Sequence, residues 1–470
     1  MSQENANLKK TLSKIDLLSI GIGAVIGWSW VVYGGYWSVV PGTLGGVGTF
    51  VIAALLCSLV GLIYAEVTSA FPRIGVDVSI AYIGLGRLAS IIVCWCTLIL
   101  WGCFAFVESI MFPIIMGNLG FTLPTFGPMY SVLGVTVMFS DVVMAILVNT
   151  LFAFINFKGS NISGKVQTAC VLLLSIAAVF FCFSGFLKGS VSNARPFFTN
   201  VSGFATVMLM VPGFMSGFNA IPQAVEDSNV KPKTIGRMVL LTVWGSALFY
   251  ILIILGTGFA ANESFRSSEG LIVIEALSLL YNGNGFVRGF VALASLVGML
   301  TTWNAAYIAG SRFLYGMSRS KLLPPVFLHI NKNNSTPDVA ILFLWALGTV
   351  SPFFGKSPVI YGSVFNINSF TLVITWLIIS ISFVKLRNKM PDLKRPYKVR
   401  AGKTVGVLST IFCAAYLFIY TPFGPSGLSA GQWLAVIGLA AIAVLVYIFW
   451  NRKGGNISDE EFRTLLLGEY

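Results

Sequence analysis

The sequence predicts an all-α integral membrane protein with twelve transmembrane helices. Three observations carry the prediction: too little charge for a water-facing surface, uncharged stretches long enough to cross a bilayer, and basic residues gathered on one side of them. Hydrophobic residues make up 56 % of the 470-residue chain and charged residues 10 %, whereas a soluble domain carries about 25 % charge. The formal net charge of +13 does not mark a nucleic-acid binder, which needs a basic stripe on a soluble module. Here the basic residues sit between apolar runs, where they fix orientation in a membrane.

The spans follow in order. Leu17 to Ala65 carries no charge, far more than the roughly 20 residues one helix needs. Pro41-Gly42 with Gly45-Gly46 divides it into two spans joined by a short turn. Apolar runs then fall near 88–116, 140–157, 166–187, 203–225, 238–260, 286–311, 338–355 and 361–384. Thr404 to Asn451 is again uncharged and is divided by Thr421-Pro-Phe-Gly-Pro425. With both termini cytoplasmic, 25 of the 30 Lys and Arg fall inside, and only Lys188, Arg195, Arg266, Arg288 and Lys356 fall outside. Moving the count by one helix destroys this asymmetry. The first apolar run is too long for a cleavable leader. Ser458 to Leu467 reads as a short interfacial helix.

Enzymatic chemistry finds no footing. There is no G-x-S-x-G, Walker A or H-E-x-x-H pattern, and the single histidine, His329, lies in a basic loop where it is expected to be solvated. The seven cysteines all lie within apolar runs and read as small buried hydrophobes rather than as a metal site or disulfide framework. The expected partners are a small-molecule substrate and membrane lipids, with no metal and no nucleic acid.

Two spans at corresponding places carry helix-breaking residues mid-membrane. Span 1 reads Gly21-Ile-Gly-Ala-Val-Ile-Gly-Trp-Ser-Trp30 and span 6 reads Val211-Pro-Gly-Phe-Met-Ser-Gly-Phe-Asn-Ala-Ile-Pro222. Paired interruptions of this kind point to a transporter's binding site. Glycine alone serves close helix packing, but Pro212-Gly213 removes a backbone donor where lipid supplies no substitute. Freed amides at the start of a second half-helix attract a carboxylate, and freed carbonyls at the end of the first attract an ammonium or a sodium ion. A free amino acid carries both complementary groups on one carbon.

At these residues the sequence resembles the amino acid–polyamine–organocation (APC) permease superfamily, of the bacterial amino acid permease type. Gly23-Ala-Val-Ile-Gly-Trp-Ser29 is similar to the family's first-span element, with Trp28 and Ser29 replacing the usual Ser and Gly. Tyr64-Ala-Glu-Val-Thr-Ser-Ala-Phe-Pro-Arg-Ile-Gly75 resembles the loop after span 2, and Ser216-Gly-Phe-Asn-Ala220 with Glu226-Asp227 the sixth-span element. Ser311-Arg-Phe-Leu-Tyr-Gly-Met-Ser-Arg319 resembles the end of span 8, and Leu386-Arg-Asn-Lys-Met-Pro-Asp-Leu-Lys-Arg-Pro396 the loop after span 10. The resemblance implies a LeuT-like five-plus-five inverted repeat, spans 1–5 over 15–187 and spans 6–10 over 203–386. Two additional C-terminal helices occupy 404–450, with cytoplasmic segments at 1–14 and 451–470. It implies secondary active transport of amino acids across the inner membrane by alternating access. Carried over by position, Ala24, Val25, Gly27, Trp28 and Ser29 bind the substrate from span 1, and Gly213, Phe214 and Ser216 from span 6. Phe214 stands one position from the family's gating aromatic, and Asn219 where some relatives carry a polar group near the site.

Coupling to Na⁺ or H⁺ stays open. Some relatives place a lysine in span 5, here near Leu174, and Gln167 to Leu187 contains no basic residue. Thr301 and Thr302 are then oxygen ligands for Na⁺, or they bond to carbonyls of their own helix. Glu108 lies about twenty residues into span 3. It carries a proton, reads a cationic side chain, or reaches water at the outer surface. Trp303 and Tyr307, four apart on one face of span 8, line the pocket or pack as ordinary core. Glu66, Arg73, Glu226 and Asp227, with Lys231 and Lys233 nearby, read as inner-gate pairs or solvated loop charges. Arg312, Arg319 and Lys321 read as cytoplasmic anchors. Two further readings are a transporter of amines lacking a carboxylate (ethanolamine or a polyamine) and a channel or sensor without turnover.

Overall fold

A computed structural model describes residues 10–118, 126–268, 270–424, 427–450 and 457–468. The expectations for residues 1–9, Pro425, Arg452 and Lys453 lie outside the described residues. The chain is helical almost throughout. α1 (Lys14–Val25) and α2 (Ser29–Val39) are followed by α3 (Thr43–Ala70), α4 (Val76–Leu85) and α5 (Arg87–Asn118). A short antiparallel hairpin, β1 (Pro128–Val132) and β2 (Val135–Met138), precedes α6 (Phe139–Phe157) and α7 (Ser160–Lys188). The second half comprises α8 (Val201–Phe214), α9 (Ala220–Gln223), α10 (Pro232–Ala260), α11 (Glu263–Arg266), α12 (Ile272–Leu280) and α13 (Gly285–Arg319). It ends with α14 (Asp338–Val350), α15 (Pro358–Lys389), α16 (Gly402–Ile419), α17 (Ala430–Trp450) and α18 (Asp459–Leu467).

Among the described residues ten helices are long and apolar enough to cross a membrane, and α1 with α2 forms one further bent span. The predicted ninth span is shorter: α14 has 13 residues, followed by a 3₁₀ turn over Ser351–Phe354. Gly45-Gly46 does not break the chain as expected. The turn is confined to Val40–Gly42, and both glycines lie within α3. There a Cβ on Gly46 would meet the Trp37 carbonyl at 2.2 Å, so the residue serves close approach rather than reversal. α4, α11, α12 and the hairpin were not anticipated; each is too short to announce itself by an apolar run.

The core is a bundle in which α1, α3, α5, α7, α10, α13 and α15 pack on one another. α17 packs on α15 and buries no residue of its own, as expected of a helix facing lipid. Both terminal segments lie on one face. The amides of Thr11 and Leu12 donate to the Asp227 carbonyl (2.8 and 2.9 Å). α18 lies across α4, burying Phe462, Leu466 and Leu467. It is therefore docked on protein, because the apolar stripe of its first turns meets Tyr82 and Arg87.

Candidate functional site

α1 stops at Val25 and α2 begins at Ser29, and their axes bend by 58°. Backbone groups released inside an apolar slab must find partners within the protein, and α10 and α13 provide them. The Tyr250 hydroxyl donates to the Val25 carbonyl (2.9 Å) and lies 3.1 Å from Ser29 Oγ, so one side chain joins both half-helices. The Gly27 amide donates to the same Val25 carbonyl (3.1 Å). The Thr301 hydroxyl is 2.8 Å from the Ile26 carbonyl and 2.6 Å from the Gly298 carbonyl of its own helix, its single hydrogen shared between them. Thr301 thus bonds to a carbonyl of its own helix, as one of its two readings expected, and to one of the first span as well. Leu174 packs beside Gly298 and places an apolar group at the span 5 position.

The sixth span is interrupted at the matching depth. α8 ends at Phe214, Met215 leaves helical geometry, and the chain continues as a 3₁₀ turn over Ser216–Asn219. The Ser216 hydroxyl donates to the Gly213 carbonyl (3.0 Å). The two interruptions touch. A Cβ on Gly217 would stand 2.4 Å from the Ala24 carbonyl carbon and 2.5 Å from the Val25 nitrogen, an approach only glycine allows.

Between them lies a small cavity. Ala24, Val25, Gly27, Trp28 and Ser29 line one side and Gly213, Phe214 and Ser216 another, while α13 contributes Thr302. α5 adds Cys103, Phe104, Val107 and Glu108, and α15 adds Phe365 and Asn368. Glu108 is 2 % exposed and faces this cavity. The Thr302 hydroxyl lies 2.7 Å from its Oε1 and 2.9 Å from the Met299 carbonyl of Thr302's own helix, while Oε2 has no partner. Asn368 Oδ1 is also buried without a partner.

Asn219 is buried outside the lining, and of the two readings for Trp303 and Tyr307 core packing is the one observed. Trp303 stacks on Phe152 (ring centroids 5.6 Å apart), and the Tyr307 hydroxyl donates to Asn149 Oδ1 (2.6 Å). Both therefore face α6, because one residue past Thr302 turns the helix about 100° away. Sequence reasoning missed Tyr250, Cys103, Phe104, Val107 and Phe365, which sit in ordinary apolar runs with nothing to single them out. Asn368 had a signal, an amide within an otherwise apolar span.

Trp28, Val107, Phe214 and Phe365 also border a second, larger space. It extends to Tyr361 and Tyr420 at the helix ends opposite the terminal segments. These four side chains are thus the partition between the two spaces. Phe214 packs on Tyr33 (5.5 Å) and Phe365 (5.3 Å).

Toward the terminal face the barrier is ionic. Asp227 pairs with Arg312 (3.0 Å), both side chains fully buried, and Ser160 bonds to both. Glu226 receives both terminal nitrogens of Arg319 and the Ile74 amide (3.0 Å). Glu66 is held by Arg387, Arg395 (2.9 Å) and the Val399 amide (2.8 Å). The partners of Glu226 and Asp227 are therefore arginines of α13 rather than Lys231 and Lys233, and Arg312 and Arg319 are not free anchors. Burial alone raises the Glu226 carboxyl; the hydrogen bonds and charge of Arg319, with the Ile74 amide and Arg73, outweigh it and hold the group below its ordinary range. His329 is exposed, its Nδ1 2.6 Å from Asp338 Oδ1.

Residues 12–449 match the family model described as amino acid permease. The chain is 25 % identical to the branched-chain amino acid permease BcaP of Bacillus subtilis (strain 168), covering 96 % of this chain and 95 % of the relative. It is 24 % identical to that organism's methylthioribose transporter, over 96 % and 95 %, and 23 % identical to its aspartate–proton symporter, over 96 % and 85 %. A multi-pass helical bundle, spans interrupted at matching depths and a cavity between the interruptions agree with that match over nearly the whole length, and the chain belongs to the amino acid permease family.

Proposed function

We propose that this permease moves amino acids across the cytoplasmic membrane by alternating access, with both termini cytoplasmic and the substrate held between the interruptions of the first and sixth spans. One observation carries the reading: the cavity is walled by both interruptions at once. The first turn of α2 leaves amides without intrahelical acceptors, and these suit a carboxylate. Ala24, Val25, Gly27, Trp28, Ser29, Gly213, Phe214 and Ser216 form the substrate frame, and Phe214 acts as the gating aromatic. Spans 1–5 and 6–10 act as the two inverted repeats. The names of the relatives, two amino acid carriers among the three given, favour amino acids over amines lacking a carboxylate.

Purified protein in liposomes tests this. Preloaded vesicles are expected to exchange labelled amino acid, with the decarboxylated amine competing at least tenfold more weakly. Binding without exchange refutes transport; equal competition by the amine refutes the carboxylate grip. Repeating uptake with choline in place of Na⁺ decides sodium coupling.

A further inference from the structure

An amino acid in this cavity needs an acceptor for its ammonium, and the interruption of the first span leaves little for it. The Val25 carbonyl already receives the Tyr250 hydroxyl and the Gly27 amide, which fills both lone pairs, and the Ile26 carbonyl receives Thr301. In the sixth span the Gly213 carbonyl receives Ser216. The Ile26 and Gly213 carbonyls each keep one lone pair; an ammonium has three donors and no acceptor, so these two do not satisfy it and it needs further oxygen on the wall. The same wall holds one carboxylate. Glu108 Oε1 is fixed by Thr302, and Thr302 lies against Gly27, to whose position a Cβ would bring its Oγ1 within 3.2 Å. Glu108 lines the cavity, and its Oε2 is buried and has no donor.

A buried acceptor without a partner is costly, and a charged one more so unless a cation meets it. Phe104, Val107, Phe214 and Phe365 on the same wall supply no hydrogen-bond donor, and Asn368, whose Oδ1 is also unpartnered, offers a neutral amide rather than a carboxylate. We propose that Glu108 is the specificity-determining residue that accepts the substrate's α-ammonium. α5 then grips the amine while α2 grips the carboxylate. This deepens the amino acid reading and rests on it. It departs from the expectation that freed carbonyls alone hold the amine, because hydroxyls of Tyr250, Thr301 and Ser216 already occupy part of their capacity.

The test uses full-length protein in nanodiscs and binding titrations with leucine, lysine and 2-hydroxy-4-methylpentanoic acid, which is leucine with its ammonium replaced by hydroxyl. Wild type is expected to bind leucine at least tenfold more tightly than the hydroxy acid. Glu108→Gln should weaken leucine and lysine by a similar factor of tenfold or more, and Glu108→Asp should recover part of both. A loss confined to lysine would overturn the proposal by assigning Glu108 to the side chain, and unaltered leucine binding would overturn it outright. Equal binding of leucine and its hydroxy acid to wild type overturns it without any variant. If no amino acid binds wild type, the amino acid reading fails as well; if amino acids bind and Glu108→Gln is silent, only this assignment fails.

Discussion

Gly217 shows how a single missing methyl can set the site. A Cβ there would drive into the Ala24–Val25 peptide, which is backbone and cannot rotate aside. Overpacking of this kind costs about 1–3 kcal/mol, and the displaced segment carries residues of the proposed substrate frame. Gly217→Ala is therefore expected to lower thermal stability by several degrees and to abolish uptake, as read by melting in nanodiscs and by liposome flux. Retained uptake at wild-type rate would show that the two interruptions need not touch. Tyr250 marks the limit of what a residue reveals in sequence. It lies in a plain apolar run, and its importance comes from reaching across more than two hundred positions to Val25 and Ser29. Local patterning contains nothing of that contact. Glu108, by contrast, was conspicuous, because a carboxylate within an apolar span needs a reason. What the sequence left open was its direction, which depends on the rotation of α5 against α13.

At the scale of elements, uncharged length was the dependable signal. Long spans such as α3, α5 and α10 were legible because a bilayer demands about twenty apolar residues. The interruptions were legible because glycine and proline are poor in a helix interior. Short amphipathic pieces were not, and α18 is the instructive case. Its stripe suggested a lipid surface, yet Phe462 sits under the Arg87 guanidinium (4.9 Å) and against Tyr82 (5.1 Å). Arg87 also bonds to the Ile457 carbonyl (3.0 Å), and Lys321 pairs with Glu461 (2.7 Å). A helix of 9 residues does not hold its shape alone in water, so its order derives from this docking. Phe462→Asp is expected to release it and raise amide hydrogen exchange over 457–468 by at least tenfold while α4 stays protected. Unchanged exchange would mean that the polar contacts suffice.

For the whole molecule, the terminal-face barrier rests on carboxylates. Glu226 has its carboxyl held below the ordinary value of 4.5, so its contribution to stability is complete above that value. It is lost as pH falls through the depressed range. Stability of the protein in nanodiscs is therefore expected to be flat from pH 7 to 5 and to decline below about 4.5, with Glu226→Gln lowering the plateau and flattening the acid limb. An unchanged acid limb in the variant would remove Glu226 from the barrier. The network also explains why the sequence misjudged Arg312. Counted by position it belongs with the loop charges, but α13 runs on to Arg319 and carries it into the protein, where Asp227 waits.

The partition of Trp28, Val107, Phe214 and Phe365 has a kinetic consequence. On that side a molecule is kept out by four side chains in a single layer, whose rotamers turn over on the timescale of local motions. On the other side stand three sets of ion pairs, two of them buried, and a docked tail. Under the proposed cycle, exchange on the four-residue side is therefore expected to be quicker than passage on the charged side.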